Sequence, residues 1–459
     1  MPTLLPQSHR LLHVLRALSA VALLSARAAI RSRVVAILLL LLAAGVIGIP
    51  RLVCGDGTPA SELQVRLRYT LAFATGVLGL ATLWASCAAF GAEIDSRRMD
   101  LTAVKPAHPL TLWFGRWLGI VLLDALLLLG VVAGVRLQLG FGAADTSRLV
   151  SRAIARPSLP APEEEARIHF AELQRANRLP PDIPPTEILR RLTFESRHSH
   201  IVLHPGEAAF WRFTLPRPVT PDGRIWIRVQ FNTTADSLVD VRGTCRVRRA
   251  GAAAWAAEAK VNDLTRNELE IPLAAPALAG AREIDLDFAY QGEPKAAALL
   301  IAPRDSLAIL CAQGSFTGNL VRVMLAELAI LAALAALGLT LGACFSFPVA
   351  AFAATALLLT VLAATGSSPE ILPVDPSAGN SRPGLPERVS YRVVRSIDFI
   401  TRPLLQPEPL AQAVAGERVP TGELTRLLLW GGGLYPLGLA LLAATALRRR
   451  ELARQGTGN

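Results

Sequence analysis

Two carboxylates stand where carboxylates are costly. Asp124 lies in Leu122-Leu123-Asp124-Ala125-Leu126, and Glu327 lies in a second apolar run rich in Leu and Ala. An ionisable side chain at such a place faces the interior of a helix bundle or a water-filled path. Each can line a transport path or relay a proton. Each can equally be a hydrogen-bonded carboxyl that locks two helices together. His198, His200 and His204 occupy alternate positions, which on a strand share one face and could offer imidazoles to a transition metal. No carboxylate or cysteine with ligand spacing accompanies them, so solvated strand histidines are the simpler expectation and no metal site is assigned. No Gly-x-x-x-x-Gly-Lys-Ser/Thr loop occurs, so the chain does not cradle nucleotide phosphates in that manner. HExxH, CxxC and Gly-x-Ser-x-Gly are also missing. An intramembrane enzyme built on Asp124 and Glu327 needs convergent polar partners that these runs do not offer, so no catalytic residue is assigned.

A third group of residues lies between two apolar runs, in the loop 92–111. It carries Glu93, Asp95, Arg97, Arg98 and Thr102, then Pro106, and returns into an apolar run through Gly115, Arg116 and Gly119. Physically this is a short charged helix, a proline break and a return whose glycines permit close helix packing. Such a helix could transmit force from a partner protein. By itself it is also compatible with an ordinary solvated loop.

The elements that position these groups follow from hydropathy. The chain of 459 residues is 52% hydrophobic and 18% charged, against about 25% charged in an ordinary soluble domain. Its apolar residues gather into six runs long enough to span a bilayer: 34–49 extending towards Val53, 69–91, 112–135, 320–341, 347–364 and 427–447. Residues 1–33, with five arginines and no acid between positions 8 and 33, read as a basic amphipathic helix lying in the interface. A secretory signal is the competing reading. Both termini are basic, which places both in the cytoplasm and requires an even number of spans. Much of the excess behind the net charge of +11 flanks the spans, and no basic stripe with interleaved aromatics occurs, which argues against nucleic acid as a partner.

The outer side then holds two segments. Residues 142–197 are polar and proline-punctuated, with short helices expected over 163–177 and 186–192. From 198 to 315 the period changes to two. Ile225, Ile227, Val229 and Phe231 alternate with polar neighbours, as do Leu269, Ile271 and Leu273, and Ile284, Leu286, Phe288 and Tyr290. Pro221-Asp222-Gly223 supplies a turn, so an antiparallel sandwich inserted between the third and fourth spans is expected. The fold class is therefore a six-helix membrane bundle (34–141, 320–366, 427–459) with a mainly-β domain at 142–319. The second outer segment, 367–426, contains an amphipathic stretch over 388–401 that either lies in the interface or packs on the outer domain. Five cysteines rule out a dense disulfide framework, and Cys245 and Cys311 could either pair or stay free.

The loop pattern resembles the permeases of type-2 ABC exporters. In that family an acidic-then-basic loop helix, a threonine, a proline and Gly-Lys-x-x-Gly join the second and third spans. Glu93, Asp95, Arg97, Arg98, Thr102, Pro106, Gly115, Arg116 and Gly119 stand at matching places. Arg116 replaces the usual lysine, and His108 stands where an arginine is common. The N-terminal basic helix resembles the family's elbow helix, 341–350 its short turn between spans four and five, and 447–453 its closing tail. The resemblance covers about 300 residues and leaves out the sandwich. It implies a dimer of permeases in the cytoplasmic membrane, each docking a separate ATPase subunit that binds ATP, with no cofactor held by this chain. Against it stands a membrane-anchored sensor or glycan-binding protein whose spans only tether the sandwich.

Overall fold

The computed structural model describes residues 18–27, 33–52, 59–95, 109–141, 150–180, 183–233, 237–293, 296–366 and 409–455, together with 16, 235 and 392. Five helical stretches are long and apolar enough to cross a bilayer. They lie in α2 (Arg33–Leu52), α3 (Pro59–Asp95), α4 (Pro109–Phe141), α7 (Phe316–Cys344) and the run of α10 (Thr421–Leu429) and α11 (Tyr435–Gln455). A short helix α1 (Leu18–Arg27) precedes them, and a further apolar helix α8 (Phe347–Gly366) follows α7. Leu40, Leu129, Phe352 and Leu442 are exposed on the bundle, as lipid-facing side chains are. Two of these helices begin well before the expected boundaries: α3 starts at Pro59 rather than near Tyr69, and the last run starts at Thr421 rather than Leu427. Between α10 and α11 the helix widens into a π turn at Trp430–Leu434, whose sequence is Trp-Gly-Gly-Gly-Leu.

Helix α7 is the centre of the bundle and packs against α3, α4, α8, α10 and α11. Lipid tails give apolar helices no net hydrophobic reason to meet, so close backbone approach through small residues has to hold them. Gly338 and Gly342, one turn apart, face Leu83–Ser86 and Cys87 of α3. A Cβ at Gly342 would stand 2.4 Å from the Cys87 carbonyl oxygen. Gly79 of α3 meets Leu334, so the offset along the two helices stays nearly constant and they run parallel. Gly431 of the π turn takes the same role on another face, where a Cβ would lie 2.4 Å from the Ala329 carbonyl oxygen.

The β domain is a sandwich. One sheet has the order β1-β11-β4-β8 and the other β3-β9-β6-β7, with a small sheet β2-β10-β5 alongside. Their ranges are β1 Val150–Ala155, β2 Ile201–Leu203, β3 Ala208–Thr214, β4 Arg224–Gln230, β5 Asn232–Thr233, β6 Asp240–Arg249, β7 Ala257–Leu264, β8 Glu268–Ala274, β9 Glu283–Tyr290, β10 Leu299–Ile301 and β11 Leu307–Ser315. All named pairs are antiparallel. The alternating residues Ile225, Ile227, Val229, Leu286 and Phe288 fill one core between the two large sheets. Gly223, at φ +61, closes the expected turn; a side chain there would run into the Ala275 backbone. Helices α5 (Pro162–Arg175) and α6 (Pro185–Arg197) pair through Ala166, Ile188 and Leu192, and Arg304 ties them to the sandwich through Glu165 at 2.7 Å.

Three expectations change. The segment 142–197 is not only helical, because Val150–Ala155 forms an edge strand paired with β11. The histidines do not share a strand: β2 spans only Ile201–Leu203, His198 caps α6, and His200 and His204 lie in loops on either side. No His/Cys/Asp/Glu group suited to a metal ion occurs among the described residues. Asp285, on the face expected to be wet, is 1% exposed because Arg212 and Arg248 lie across it.

The α3–α7 contact makes a direct prediction. Gly342→Val forces the helices apart and costs about 1–3 kcal/mol, the usual penalty of overpacking. Gly76, which has open space around it, tolerates Ala. Thermal unfolding in detergent separates the two, with a lowered midpoint expected for the first variant only.

Candidate functional site

The loop residues are placed in part. Glu93 and Asp95 fall on the last turn of α3, while Arg97, Arg98, Thr102 and Pro106 lie outside the described residues. Gly115, Arg116 and Gly119 lie on the first turns of α4, and Arg116 is buried. The two glycines receive α1. A Cβ at Gly115 would meet the Val21 side chain at 2.7 Å, and one at Gly119 would meet the Ala22 carbonyl oxygen at 2.8 Å. Helix α1, the described part of the expected N-terminal amphipathic stretch, is therefore seated on the start of α4 by the Gly-x-x-x-Gly spacing that the loop pattern contains. The amphipathic stretch 388–401 lies outside the described residues apart from Arg392.

The two intramembrane carboxylates are both buried, but the structure does not join them. Asp124 of α4 accepts a hydrogen bond from Thr82 Oγ1 of α3 at 2.8 Å, through Oδ1. Its Oδ2 is buried with no protein partner. Glu327 sits three turns into α7 and shares neither a hydrogen bond nor an ion pair with Asp124. One residue pair thus ties α3 to α4. A second link, from Trp117 Nε1 to the Ala332 carbonyl at 2.8 Å, ties α4 to α7.

A dense polar cluster lies outside these expectations. It lies where the sandwich meets the bundle. Strand β11 runs into α7 without a linker, Ser315 capping the helix by accepting from the Gly318 N–H at 3.2 Å. Beside this junction the segment 415–419, which follows α9 (Pro409–Val414), lies parallel to the free edge of β1. Arg152 N donates to the Gly416 carbonyl at 2.9 Å, and Arg418 N donates to the Arg152 carbonyl at 2.8 Å. From α7, Asn319 grips the same segment: its Nδ2 donates to the Glu417 carbonyl at 2.7 Å, and its Oδ1 accepts from Val419 N at 3.0 Å.

Above the segment, the outer face of the first sheet supplies an ion network. Arg152 Nη1 meets Glu270 Oε2 at 2.6 Å, Arg228 Nη2 meets Glu270 Oε1 at 2.8 Å, and Arg228 also binds Glu417. Both arginines donate to the Ala415 carbonyl at 3.0 Å. Burial works to raise the Glu270 carboxyl, but hydrogen bonds and charge from Arg152 and Arg228 outweigh it and hold the group below its ordinary value. Sequence carried half of this signal. Arg228 and Glu270 are wet-face positions of neighbouring strands and turn out to be direct cross-strand partners. Their third partner, Glu417, is 147 residues further on and has no such pattern.

The cysteines resolve simply. Cys245 and Cys311 are both free and buried, one in each large sheet, and burial pushes each thiol up to about 12.

Truncating Arg228 leaves Glu270 with Arg152 alone and takes from Glu417 its ion pair, so Arg228→Ala costs about 3 kcal/mol. Hydrogen exchange at the Arg152 and Arg418 amides reads the release of the segment. Because the Glu270 carboxyl is depressed in the folded chain, its contribution is present above the ordinary carboxylate value and is lost as pH falls through the folded value. The Arg418 amide exchange, corrected for its intrinsic rate, therefore rises below about pH 4. In Glu270→Gln that acid-dependent rise is reduced.

Comparison with protein-family models, with curated proteins and with solved structures finds no match to this chain.

Proposed function

We propose that the chain is the membrane permease subunit of an ABC-type exporter, moving a substrate across the cytoplasmic membrane under the drive of a separate ATPase subunit. The observation that carries this reading is the seat of α1 on Gly115 and Gly119. An interfacial helix clamped to the start of α4, immediately after a charged loop, gives that loop something to push. Force delivered at 93–104 by a partner would pass to α3, α4 and α1 together.

Two further features support it. With α8 counted as a crossing beside the five long apolar stretches, the number of crossings would be six, which would return both basic termini to the same side. The sandwich then lies on the opposite, outer side, between the third and fourth crossings. Asp124, held by Thr82 with one buried oxygen unpartnered, is the natural polar element for the interior of such a bundle. Two copies of the chain would form the transport path, each with its own ATPase. A chain that only anchored the sandwich would need neither the seated helix nor the charged loop.

Affinity purification of the tagged full chain from its native host is the test. Recovery of a P-loop ATPase is expected, and charge reversal at Arg97 and Arg98 should abolish that recovery while membrane insertion persists. Gly119→Val should keep the ATPase but weaken the stimulation of its hydrolysis, because α1 is lifted from its seat. If no ATPase is recovered and reversal at Arg97 and Arg98 changes nothing, the permease reading falls and the anchor reading stands.

A further inference from the structure

Three arginines converge at the foot of the sandwich with no acid among the described residues to meet them. Arg217 lies in the loop between β3 and β4, Arg418 in the segment beside β1, and Arg322 on the second turn of α7. Gln313 of β11 stands between the first two. With its amide oxygen turned towards them, as the hydrogen bonding requires, it accepts from Arg217 Nε at 2.6 Å and from Arg418 Nη1 at 3.3 Å. Arg322 Nη1 donates to the carbonyl of Val419, the residue after Arg418, at 3.1 Å. Thus two guanidiniums share one neutral acceptor and a third is anchored next to them.

None of the three forms an ion pair with a described carboxylate. The nearest acid in sequence, Glu417, is taken by Arg228, and Glu423 accepts from Gln412 at 3.2 Å. Arg217 is exposed, and Arg322 and Arg418 are half-buried, so the cluster is open to a ligand. Burial and the charges of Arg322 and Arg217 together depress the Arg418 guanidinium below its ordinary value. Like charges held this way are relieved by an anion.

We propose that Arg217, Arg322 and Arg418 form a binding site for a phosphate-type anion at the foot of the sandwich. Guanidinium forks match the oxygens of a phosphate group, and three of them supply more donors than one neutral amide can accept. The height of the site indicates the source. Helix α7 has 29 residues, about 43 Å, whereas the hydrocarbon core is about 30 Å thick. The surplus of about nine residues, if it projects on the sandwich side, brings Arg322 to headgroup level. A lipid phosphate or a free phosphate ester satisfies the same chemistry. The site does not depend on the permease reading.

The test uses the full chain in nanodiscs of phosphatidylcholine, with and without phosphatidylglycerol. Lipid retained after extraction is counted by native mass spectrometry, and inorganic phosphate is titrated calorimetrically into the zwitterionic discs. Two variants are compared with wild type: R217Q/R418Q, and Q313E, which places a carboxylate between the arginines at almost unchanged shape and so keeps the fold. Each should lose about tenfold or more of the retained phosphatidylglycerol, equivalent to one charge-assisted hydrogen bond. R156Q, at an exposed arginine elsewhere on the sandwich, should lose nothing. Loss in the lipid arm assigns the site to a headgroup, and phosphate binding that is lost in Q313E assigns it to a soluble anion. Equal behaviour of wild type and Q313E in both arms overturns the proposal.

Discussion

Asn319 holds the two halves of the molecule in one frame. Its amide bonds both to the Glu417 carbonyl and to the Val419 N–H, so a single buried side chain on α7 fixes the register of a segment about 100 residues away. That segment in turn lies on the edge of β1 and carries the carboxylate that Arg228 needs. An edge strand left bare would be a site for unwanted pairing, and here the chain covers it with its own backbone. Membrane helix, sandwich sheet and returning segment therefore meet at one backbone-satisfied point. An amide is suited to this place because it donates and accepts at once without a charge to desolvate.

The consequence is mechanical. Strand β11 continues into α7 without a linker, and α7 packs on most of the other bundle helices through small residues. A sandwich attached by a flexible tether could move freely of the spans. This one is bound at two places a few residues apart along α7, the Ser315 cap and the Asn319 grip. The ion network then resists rocking about that pair, since Arg152, Arg228 and Glu270 come from three different strands. Displacement of the sandwich is displacement of α7, and Gly338, Gly342 and the Ala329 contact pass it to α3 and to the π turn.

Much of this was legible from sequence, for identifiable reasons. Apolar runs announce helices because every backbone group in lipid must be satisfied internally, and strict alternation announced β4, β8 and β9 because each buries one face. The turn at Gly223 was legible because only glycine suits that conformation next to Ala275. What stayed hidden depended on distant partners. Val150–Ala155 is too short and too mixed (Val-Ser-Arg-Ala-Ile-Ala) to read as a strand, and it becomes one only against β11 and the segment 415–419. The histidines share alternate numbers without sharing a strand, because α6 runs on to Arg197 and leaves only three residues for β2. Asp285 is outward by period yet buried, since arginines on β3 and β6 close over it. Period tells which face a residue takes, not what lies on that face.

The same distinction bears on Asp124. Its place in an apolar run made it equally a relay and a lock. A relay needs a next group, and Glu327 is not bonded to it. A lock needs a donor on another helix, and Thr82 of α3 is one. Since α3 and α4 are also the two helices that flank the loop 96–108, the bond joins the helices that a push on that loop would move first. Its buried Oδ2 has no partner, so the bond satisfies only half of the carboxyl and the cost of burial is not fully offset. A residue kept purely to hold two helices together would be better served by a group without an idle acceptor. The unpartnered oxygen is the part of Asp124 that helix packing alone does not explain.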